Sequence, residues 1–295
     1  MSRRCRKPER NAVADRLHRD NIVVVIPALN EALRIRDVVA GALRQCSNVI
    51  VVDDGSDDDT VARIAALPVT VLRNRQRLGK GASLRRGFQA ALAAGASAVL
   101  TMDGDGQHLA DDIPRLLEAG NLYPGHIVIG ARLRRRSQQP RYRRAANAFA
   151  DWGIAWGTGY QIADTQSGQR LYPAEVAALD DVPGEDFVFE AQILISAARM
   201  LGTRCVSVPI ESRYAVAASA SASGAADDST LQFRRSHFRP LRDFTRITSH
   251  VVGQCWDTRR MPAILRQIRA NPALIHDPSG DFDSLRVARP HVSKS

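Results

Sequence analysis

The chain has 295 residues with a hydrophobic content of 44%, which is enough for one large α/β domain followed by a C-terminal extension. No apolar run reaches the roughly 18 residues needed to span a bilayer, and the charged stretch 1–20 lacks the apolar core of a signal peptide. These features argue against a secreted or integral membrane protein, and we expect a cytoplasmic one.

The cysteines and the charge distribution further limit the class of protein that this chain can be. The four cysteines are scattered without a Cys-x-x-Cys pair, which indicates reduced thiols rather than a zinc site: Cys5, Cys46, Cys205 and Cys255. The net charge is +10, but the aromatic content is 5% and the acidic residues cluster where an RNA-binding protein would need stacking side chains. We therefore expect no nucleic-acid partner.

The first half of the chain alternates apolar strand patterns with helical patterns. The predicted strands are 22–26, 49–52, 69–72, 98–102 and 127–129. Two helix faces lie between them: Val38, Val39, Ala42 and Leu43, then Leu84, Phe88, Ala91 and Leu92. Strand then helix, repeated, predicts a mostly parallel sheet with right-handed crossovers, flanked by helices.

Further elements follow from capping signals and apolar patterns. Ser56 or Asp57 is the expected cap of a helix that begins near Thr60, and Asp111 or Asp112 with Pro114 indicates another helix start. A helix over 187–200 and a strand over 204–210 complete the prediction. Between residues 130 and 187 the periodicity weakens.

Two arginine tracts carry much of the positive charge. The first contains no acid: Arg132, Arg134, Arg135, Arg136, Arg141, Arg143 and Arg144. The second comprises Arg234, Arg235, Arg239, Arg242 and Arg246. Such tracts suit nucleic acid, an anionic membrane surface or a phosphorylated substrate, and the alternative is a solvated face.

Two acidic clusters each follow a predicted strand. Asp53 and Asp54 follow the strand 49–52, and Asp103-Gly104-Asp105 follows the strand 98–102, with Gln107 and His108 just beyond. Ligands of an open α/β sheet bind beyond the carboxyl ends of its strands, so both clusters are expected in one crevice. A divalent cation or the hydroxyls of a sugar nucleotide would account for this gathering of carboxylates. We therefore predict an enzyme that handles a nucleotide.

The motifs together closely resemble family 2 glycosyltransferases of the GT-A fold, and within that family the dolichyl- or polyprenyl-phosphate sugar synthases. The resemblance covers about residues 21–210. It rests on motifs that occur in the expected order: Pro27-Ala28-Leu29-Asn30-Glu31, Val51-Val52-Asp53-Asp54-Gly55-Ser56, Gly79-Lys80-Gly81, Asp103-Gly104-Asp105, Asp164-Thr165-Gln166-Ser167-Gly168-Gln169-Arg170, Glu190, and Arg213-Tyr214.

The resemblance implies a set of roles for these residues. The donor-binding residues would be Pro27, Glu31, Asp53, Asp54, Lys80 and Asp103. A Mg²⁺ or Mn²⁺ ion would be held by Asp103, Asp105 and Gln107, since two carboxylates in one turn suit a hard cation. The acceptor side would comprise Ser167, Glu190 and Arg213.

The predicted catalytic residues are Asp105, Arg170 and Asp186. Arg170 would clamp a phosphate bidentately, its alternative being a surface salt bridge. Asp186 lies where many family members carry a base, but an ionised phosphate acceptor needs no strong base, and orientation is then its role. Lys80 suits a diphosphate about as well as it suits an exposed turn.

These roles predict an inverting, metal-dependent enzyme that transfers a hexose from a UDP- or GDP-hexose to a polyprenyl-phosphate lipid. The alternatives are the same chemistry on a glycolipid, a pigment or a small phosphorylated acid, and a nucleotidyltransferase. A nucleotidyltransferase would show a loop rich in glycine and basic residues after the first strand, where this chain has Pro27 to Glu31.

The predicted organisation has five parts: a basic tail over 1–20, a GT-A catalytic domain over 21–214, an Ala/Ser-rich loop over 215–233, a basic amphipathic extension over 234–276 and a disordered tail over 277–295. Phe238, Leu241, Phe244 and Ile247 alternate with arginines in the extension, and Pro240 breaks the pattern. This tract predicts peripheral contact with the inner face of the cell membrane.

Overall fold

A computed structural model describes residues 16–133, 141–180, 182–184, 186–211 and 261–278, without the side chains of 141–146, 186, 187 and 261. Its centre is an eight-stranded sheet. The strands are β1 Ile22–Ala28, β2 Asn48–Asp53, β3 Thr70–Arg73, β4 Ala98–Thr101, β5 Ile127–Ala131, β6 Arg170–Pro173, β7 Cys205–Pro209 and β8 Leu274–Ile275.

The strand order is β3-β2-β1-β4-β6-β5-β7-β8. Strand β6 runs antiparallel to both of its neighbours, whereas every other pairing in the sheet is parallel. The register aligns Ala28 of β1 with Asp53 of β2, so these two strands end side by side. The predicted mostly parallel α/β sheet is confirmed.

Helices cover both faces of the sheet. They are α1 Ile35–Gln45, α2 Thr60–Ile64, α3 Lys80–Ala93, α4 Ile113–Leu122, α5 Arg141–Thr158, α6 Ala174–Ala177, α7 Asp186–Ser196 and α8 Met261–Ala270. A 3₁₀ turn over Ala110–Asp112 precedes α4, and a π-helical turn over Ala197–Leu201 follows α7. Among the described residues no helix is long and apolar enough to cross a membrane.

Strand β1 shows why the apolar runs are continuous. Val23 and Val25 belong to the core on one face of the sheet, and Ile22, Val24 and Ile26 belong to the core on the other face. Because helices cover both faces of a parallel sheet, a central strand has no solvent side and needs no polar residue in alternation. Strands β1, β2, β3, β4, β5 and β7 are the six predicted ones.

Local details of the helices differ from the prediction. Helix α2 begins at Thr60 as predicted, but neither predicted cap makes the capping bond; Oδ1 of Asp58 accepts the Thr60 N–H at 2.9 Å instead. The predicted helix over 187–200 is α7 with its π-helical continuation, which ends where Gly202 adopts a left-handed φ of 68°. Helix α5, strand β6 and strand β8 were not predicted.

Part of the predicted C-terminal extension is described. Helix α8 lies against α5, and β8 adds a parallel strand to β7. The Ala/Ser-rich loop and the tract around Phe238 lie outside the described residues. The domain boundaries given above therefore stay a prediction.

Candidate active site at the carboxyl edge of the sheet

The two acidic clusters lie at the same edge of the sheet, as predicted. Asp53 is the last residue of β2, and Asp103 follows β4, the strand on the other side of β1. A Cβ atom built on Gly104 would lie 3.3 Å from the carbonyl oxygen of Pro27 and 3.5 Å from Cγ of Glu31. The loop after β1 therefore packs directly on the Asp103–Asp105 turn.

The loops after β1 and β2 are tied to each other by hydrogen bonds. The Asn30 N–H donates to Oγ of Ser56 at 2.9 Å, and Oδ1 of Asn30 accepts the Asp57 N–H at 3.0 Å. The Glu31 N–H donates to Oγ1 of Thr60 at 2.8 Å. Asn30 has a left-handed φ of 57°, a conformation that asparagine tolerates better than most residues. These bonds fix the backbone on which Pro27 and Glu31 are displayed.

Asp53 and Asp54 are both buried, and both contact groups of the protein itself. Oδ2 of Asp53 lies 3.1 Å from Nε of Arg73. The Asp54 carboxylate accepts hydrogen bonds from Nδ2 of Asn74 at 2.8 Å and from the N–H groups of Leu78 and Gly79, both at 2.9 Å. Donor binding was predicted for both residues. For Asp54 these contacts favour a positioning role, since it holds the loop that leads to Lys80.

Lys80 links the acidic turn to α7. Its ammonium group lies 2.7 Å from Oδ1 of Asp103 and 2.9 Å from Oε2 of Glu190. Burial disfavours the charged ammonium, but the two carboxylates outweigh burial and raise the pKa of Lys80 above its ordinary value. Lys80 is therefore a permanent positive charge inside the cleft, and Glu190, a predicted acceptor residue, is its partner.

The two carboxylates of the acidic turn have opposite electrostatic environments. Burial opposes ionisation of Asp103, but the Lys80 ammonium and the His108 ring outweigh it and hold the pKa of Asp103 below its ordinary value. For Asp105, burial and then the charge of Asp103 raise the pKa above its ordinary value. The charge of Asp103 is compensated by the protein, whereas that of Asp105 is not.

The donor set fits a hard divalent cation in part. Carboxylate oxygens are the ligands that Mg²⁺ prefers, and an added cation would compensate the charge of Asp105. Oδ1 of Asp105 accepts the Gln107 N–H at 3.0 Å, and His108 Nε2 lies 3.5 Å from Oδ2 of Asp103. Among the described residues no group of three His, Cys, Asp or Glu side chains could hold a metal ion. The protein thus offers two carboxylates, and phosphate and water oxygens would have to complete the shell.

Gly168 forms the wall opposite Asp103. A Cβ atom at residue 168 would lie 2.4 Å from Oδ2 of Asp103 and 2.8 Å from its Cγ, so a side chain there would have to displace the Asp103 carboxylate. Oγ1 of Thr101 donates to the Gly168 carbonyl at 2.8 Å and holds residue 168 close to Asp103. The segment that contains Ser167 and Gly168 is therefore in direct contact with the acidic turn.

We expect Gly168→Ala to lower turnover about a hundredfold, because the new methyl group must displace the Asp103 carboxylate and small misplacements in an active site are costly. Steady-state kinetics of sugar transfer measures this. Gly120→Ala is the matched control: its Cβ would meet Cδ2 of Leu171 at 2.7 Å, in the hydrophobic core and not at a carboxylate of the acidic turn. It should lower the melting temperature yet keep turnover in the folded enzyme. Equal turnover in both variants would contradict the assignment.

Arg170 has partners other than the predicted phosphate. Its side chain is 1% exposed and donates to the carbonyl oxygens of Ser167, Glu190 and Thr165, each at 2.7 Å. Its Nη1 also donates to the Tyr172 hydroxyl at 3.1 Å. A guanidinium held in this way fastens the 165–167 segment to α7. These contacts favour a positioning role over the predicted phosphate clamp, because the donors that they use are directed into the protein.

Ser167 is also buried, and its carbonyl oxygen serves Arg170. If Ser167 acts on the acceptor side, as predicted, it therefore does so as part of the 165–168 segment and not through an exposed hydroxyl group. Asp186 is the first residue of α7, and its side chain is not among those described. Arg213 lies outside the described residues.

An ion pair that was not predicted from the sequence braces the same segment. Asp164 accepts the backbone N–H of Arg132 at 2.7 Å and two guanidinium N–H bonds, from Nε at 2.8 Å and Nη2 at 2.7 Å. Burial raises the pKa of Asp164, but Arg132 outweighs burial and lowers it below its ordinary value. Both residues had been singled out, one in an arginine tract and one in a motif. The two residues are 32 apart in the chain, and their pairing depends on tertiary packing that a sequence pattern does not show.

We expect Arg132→Gln to lower the free energy of unfolding by about 3 kcal/mol at neutral pH, because it leaves a buried carboxylate without its partner. In the wild type the lowered pKa of Asp164 adds stability above its ordinary pKa, and this contribution is lost as the pH falls. In the variant burial raises that pKa, so protonation relieves the cost. Urea unfolding should show a difference that is largest near pH 7 and shrinks towards about pH 4. A difference independent of pH would contradict the pairing.

Carboxylates and a lysine thus gather at the carboxyl edge of a mostly parallel sheet, where open α/β sheets bind their ligands. The profile of "Glycosyl transferase family 2" matches residues 23–177. The chain belongs to glycosyl transferase family 2, and it is an enzyme of that class.

Two curated relatives align with this chain over most of their own length. An undecaprenyl-phosphate mannosyltransferase of Micrococcus luteus is 30% identical over 213 residues, which cover 64% of this chain and 82% of the relative. A UDP-N-acetylglucosamine–dolichyl-phosphate N-acetylglucosaminyltransferase of Methanococcus voltae is 28% identical over 181 residues, with 54% and 70% covered. The chain is thus similar to enzymes whose names share a polyprenyl-type phosphate but differ in the sugar.

The fold is shared with a solved structure. Glucosyl-3-phosphoglycerate synthase of Mycobacterium tuberculosis, crystallised with Mn²⁺, uridine diphosphate and glucosyl-3-phosphoglycerate, superposes with a TM-score of 0.57. The alignment covers 80% of each chain at 22% sequence identity. This likeness establishes the GT-A fold of the present chain.

Proposed function

We propose that this enzyme transfers a hexose from a UDP- or GDP-hexose to the phosphate of a polyprenyl lipid, with inversion at the anomeric carbon and with Mg²⁺ or Mn²⁺. The observation that carries the proposal is the pairing of Asp103 and Asp105 beside Lys80 at the carboxyl edge of the sheet. The phosphate acceptor is supported by the names of the relatives, which specify undecaprenyl or dolichyl phosphate.

On the donor side, Asp103 and Asp105 would hold the cation, with Gln107 as the further ligand that the resemblance implies. When bound, the cation supplies positive charge to the leaving diphosphate. Lys80 contributes a second positive charge near the same place, fixed by Asp103 and Glu190. Charge fixed in advance favours the transition state, since no reorganisation is needed as the diphosphate leaves.

In the transfer step an oxygen of the acceptor phosphate forms a bond to the anomeric carbon. The bond from that carbon to the diphosphate oxygen breaks, and the nucleoside diphosphate leaves with the electron pair. An ionised phosphate has no proton to lose, so the step needs no strong base and leaves Asp186 an orienting role. The segment fastened by Arg170 and Asp164 would then present the acceptor to the acidic turn.

A small phosphorylated acid is the second candidate acceptor. The M. tuberculosis enzyme with the same fold is named for transfer to 3-phosphoglycerate, at an identity that supports only the fold. A nucleotidyltransferase, the rival from another class, would release inorganic pyrophosphate rather than a nucleoside diphosphate.

The test incubates the purified chain with Mn²⁺, a panel of UDP- and GDP-hexoses, and either a short polyprenyl phosphate, the matching polyprenol or 3-phosphoglycerate. Mass spectrometry should find a glycosyl-phosphate lipid with the first acceptor alone. A product with 3-phosphoglycerate alone would move the acceptor to a small acid. In a separate incubation with UTP or GTP and a hexose 1-phosphate, release of inorganic pyrophosphate would overturn the glycosyltransferase step.

A further inference from the structure

Helix α5 carries an exposed aromatic face. Phe149 is 41% exposed and Trp152 is 48% exposed, and both rank among the few large hydrophobic side chains exposed in the described part of the chain. Trp156, which is half-buried, continues the row at the next turn. The ring centroids of Phe149 and Trp152 lie 5.7 Å apart, and those of Trp152 and Trp156 lie 5.5 Å apart. Spacings of three and four residues place all three rings on one side of the helix. We call these three residues the aromatic face.

The rest of α5 is packed firmly against the protein. Ile154 is fully buried, and a Cβ atom at Gly157 would lie 2.6 Å from Ile195 of α7, so the two helices are in close contact. Nε of Arg199 donates to the Gly157 carbonyl at 2.9 Å. The aromatic face is thus presented on a fixed helix and not on a loop.

The sequence at the start of α5 is basic, as expected of a segment that meets an anionic surface. The helix begins with Arg141, and Arg143 and Arg144 follow, with no acid in the first turn. No acid occurs anywhere in the stretch 132–144. Tryptophan and phenylalanine prefer the boundary between water and acyl chains, and neighbouring arginines are attracted to anionic headgroups. This combination favours a lipid surface over a protein partner of neutral or basic charge.

The aromatic face also lies close to the acceptor side of the active site. Oδ1 of Asp151, located between Phe149 and Trp152 in the chain, accepts the Thr165 N–H at 2.8 Å and the Thr165 hydroxyl at 2.7 Å. Residue 165 begins the segment whose Gly168 contacts Asp103. A surface bound by α5 would therefore adjoin the segment assigned to the acceptor.

We propose that the aromatic face of α5 docks the enzyme onto an anionic bilayer. This proposal rests on the proposed function, because a polyprenyl phosphate acceptor is presented at a membrane surface. The docking surface differs from the predicted tract around Phe238, which lies elsewhere in the chain. Vesicle binding does not require turnover, so the two proposals can fail separately.

The test is flotation of the full chain with vesicles of phosphatidylcholine containing on the order of 30% phosphatidylglycerol, against vesicles of phosphatidylcholine alone. The variant Phe149→Gln/Trp152→Gln should lower the partition coefficient on anionic vesicles at least about tenfold, since two aromatic rings no longer leave water. Leu122→Gln is the matched control, because Leu122 is 58% exposed on α4. It should float like the wild type, and Phe149→Tyr/Trp152→Phe should restore binding. Circular dichroism verifies that each variant is folded.

Several outcomes would overturn the proposal. One is a wild-type chain that stays with the buffer in the presence of anionic vesicles. Another is a double variant that floats as well as the wild type. A third is a wild-type dimer that the double variant converts to a monomer without any vesicle binding, since the face would then be an interface between copies. The double variant should transfer sugar to a short, water-soluble polyprenyl phosphate at the wild-type rate. If the wild type itself does not carry out this transfer, the result would count against the proposed function alone.

Discussion

Asp105→Asn is expected to lower the rate of sugar transfer by a factor of about a hundred to a thousand. The amide keeps the size of the side chain but removes the negative charge that a divalent cation would bind. The folded state should not suffer, because burial and the charge of Asp103 already disfavour the ionised form of Asp105. The variant should therefore melt at the same temperature as the wild type or higher.

Steady-state kinetics at several Mn²⁺ concentrations, together with a thermal melt, measures both effects. Asp37→Asn is a suitable control, since Asp37 is an exposed carboxylate in the first turn of α1. Wild-type turnover in Asp105→Asn would show that the carboxylate is not needed. A large drop in melting temperature would instead assign Asp105 a structural role.

Arg170→Ala is expected to lower the free energy of unfolding by about 3–5 kcal/mol. The substitution removes four buried hydrogen bonds and leaves the carbonyl groups of Thr165, Ser167 and Glu190 without their donor. Urea unfolding measures the effect. Arg63→Ala, at an exposed position of α2, should change stability by no more than about 0.5 kcal/mol.

This variant also separates the two roles considered for Arg170. A positioning residue affects stability first, and turnover falls because the 165–167 segment loosens. A phosphate clamp would leave stability near the wild-type value and raise KM for a phosphate-containing substrate. A stable Arg170→Ala enzyme with a raised KM would restore the clamp that the sequence suggested.

The parts of the fold that sequence patterns predict are those with strong local signals. Strand β1 is a continuous apolar run because both of its faces are buried, and such a run is readable without a structure. Strand β6 has no such signal. Its four residues include Arg170 and Pro173, and it is a strand because it pairs antiparallel with β4 and β5, far away in sequence.

The site shows the same division. The strand ends placed the two acidic clusters, Asp53-Asp54 and Asp103-Gly104-Asp105, at one edge of the sheet, because parallel strands end together. They did not show that Lys80 reaches Glu190, which lies on another helix, or that Asp164 pairs with Arg132. Burial also decides the role of Arg170, and burial depends on packing between distant segments. Residue type and spacing thus predicted the place of the chemistry, while the partners of each charge required the structure.

The most direct test of the central claim is nuclear magnetic resonance of the product formed from the donor that supports turnover and a short polyprenyl phosphate. Correlation of the anomeric proton with phosphorus identifies the new linkage, and the one-bond coupling of the anomeric carbon identifies its configuration. We predict one anomeric proton coupled to a single phosphodiester phosphorus, with configuration opposite to that of the donor. Retained configuration would contradict in-line displacement, and a sugar bound to any other atom would contradict the phosphate acceptor.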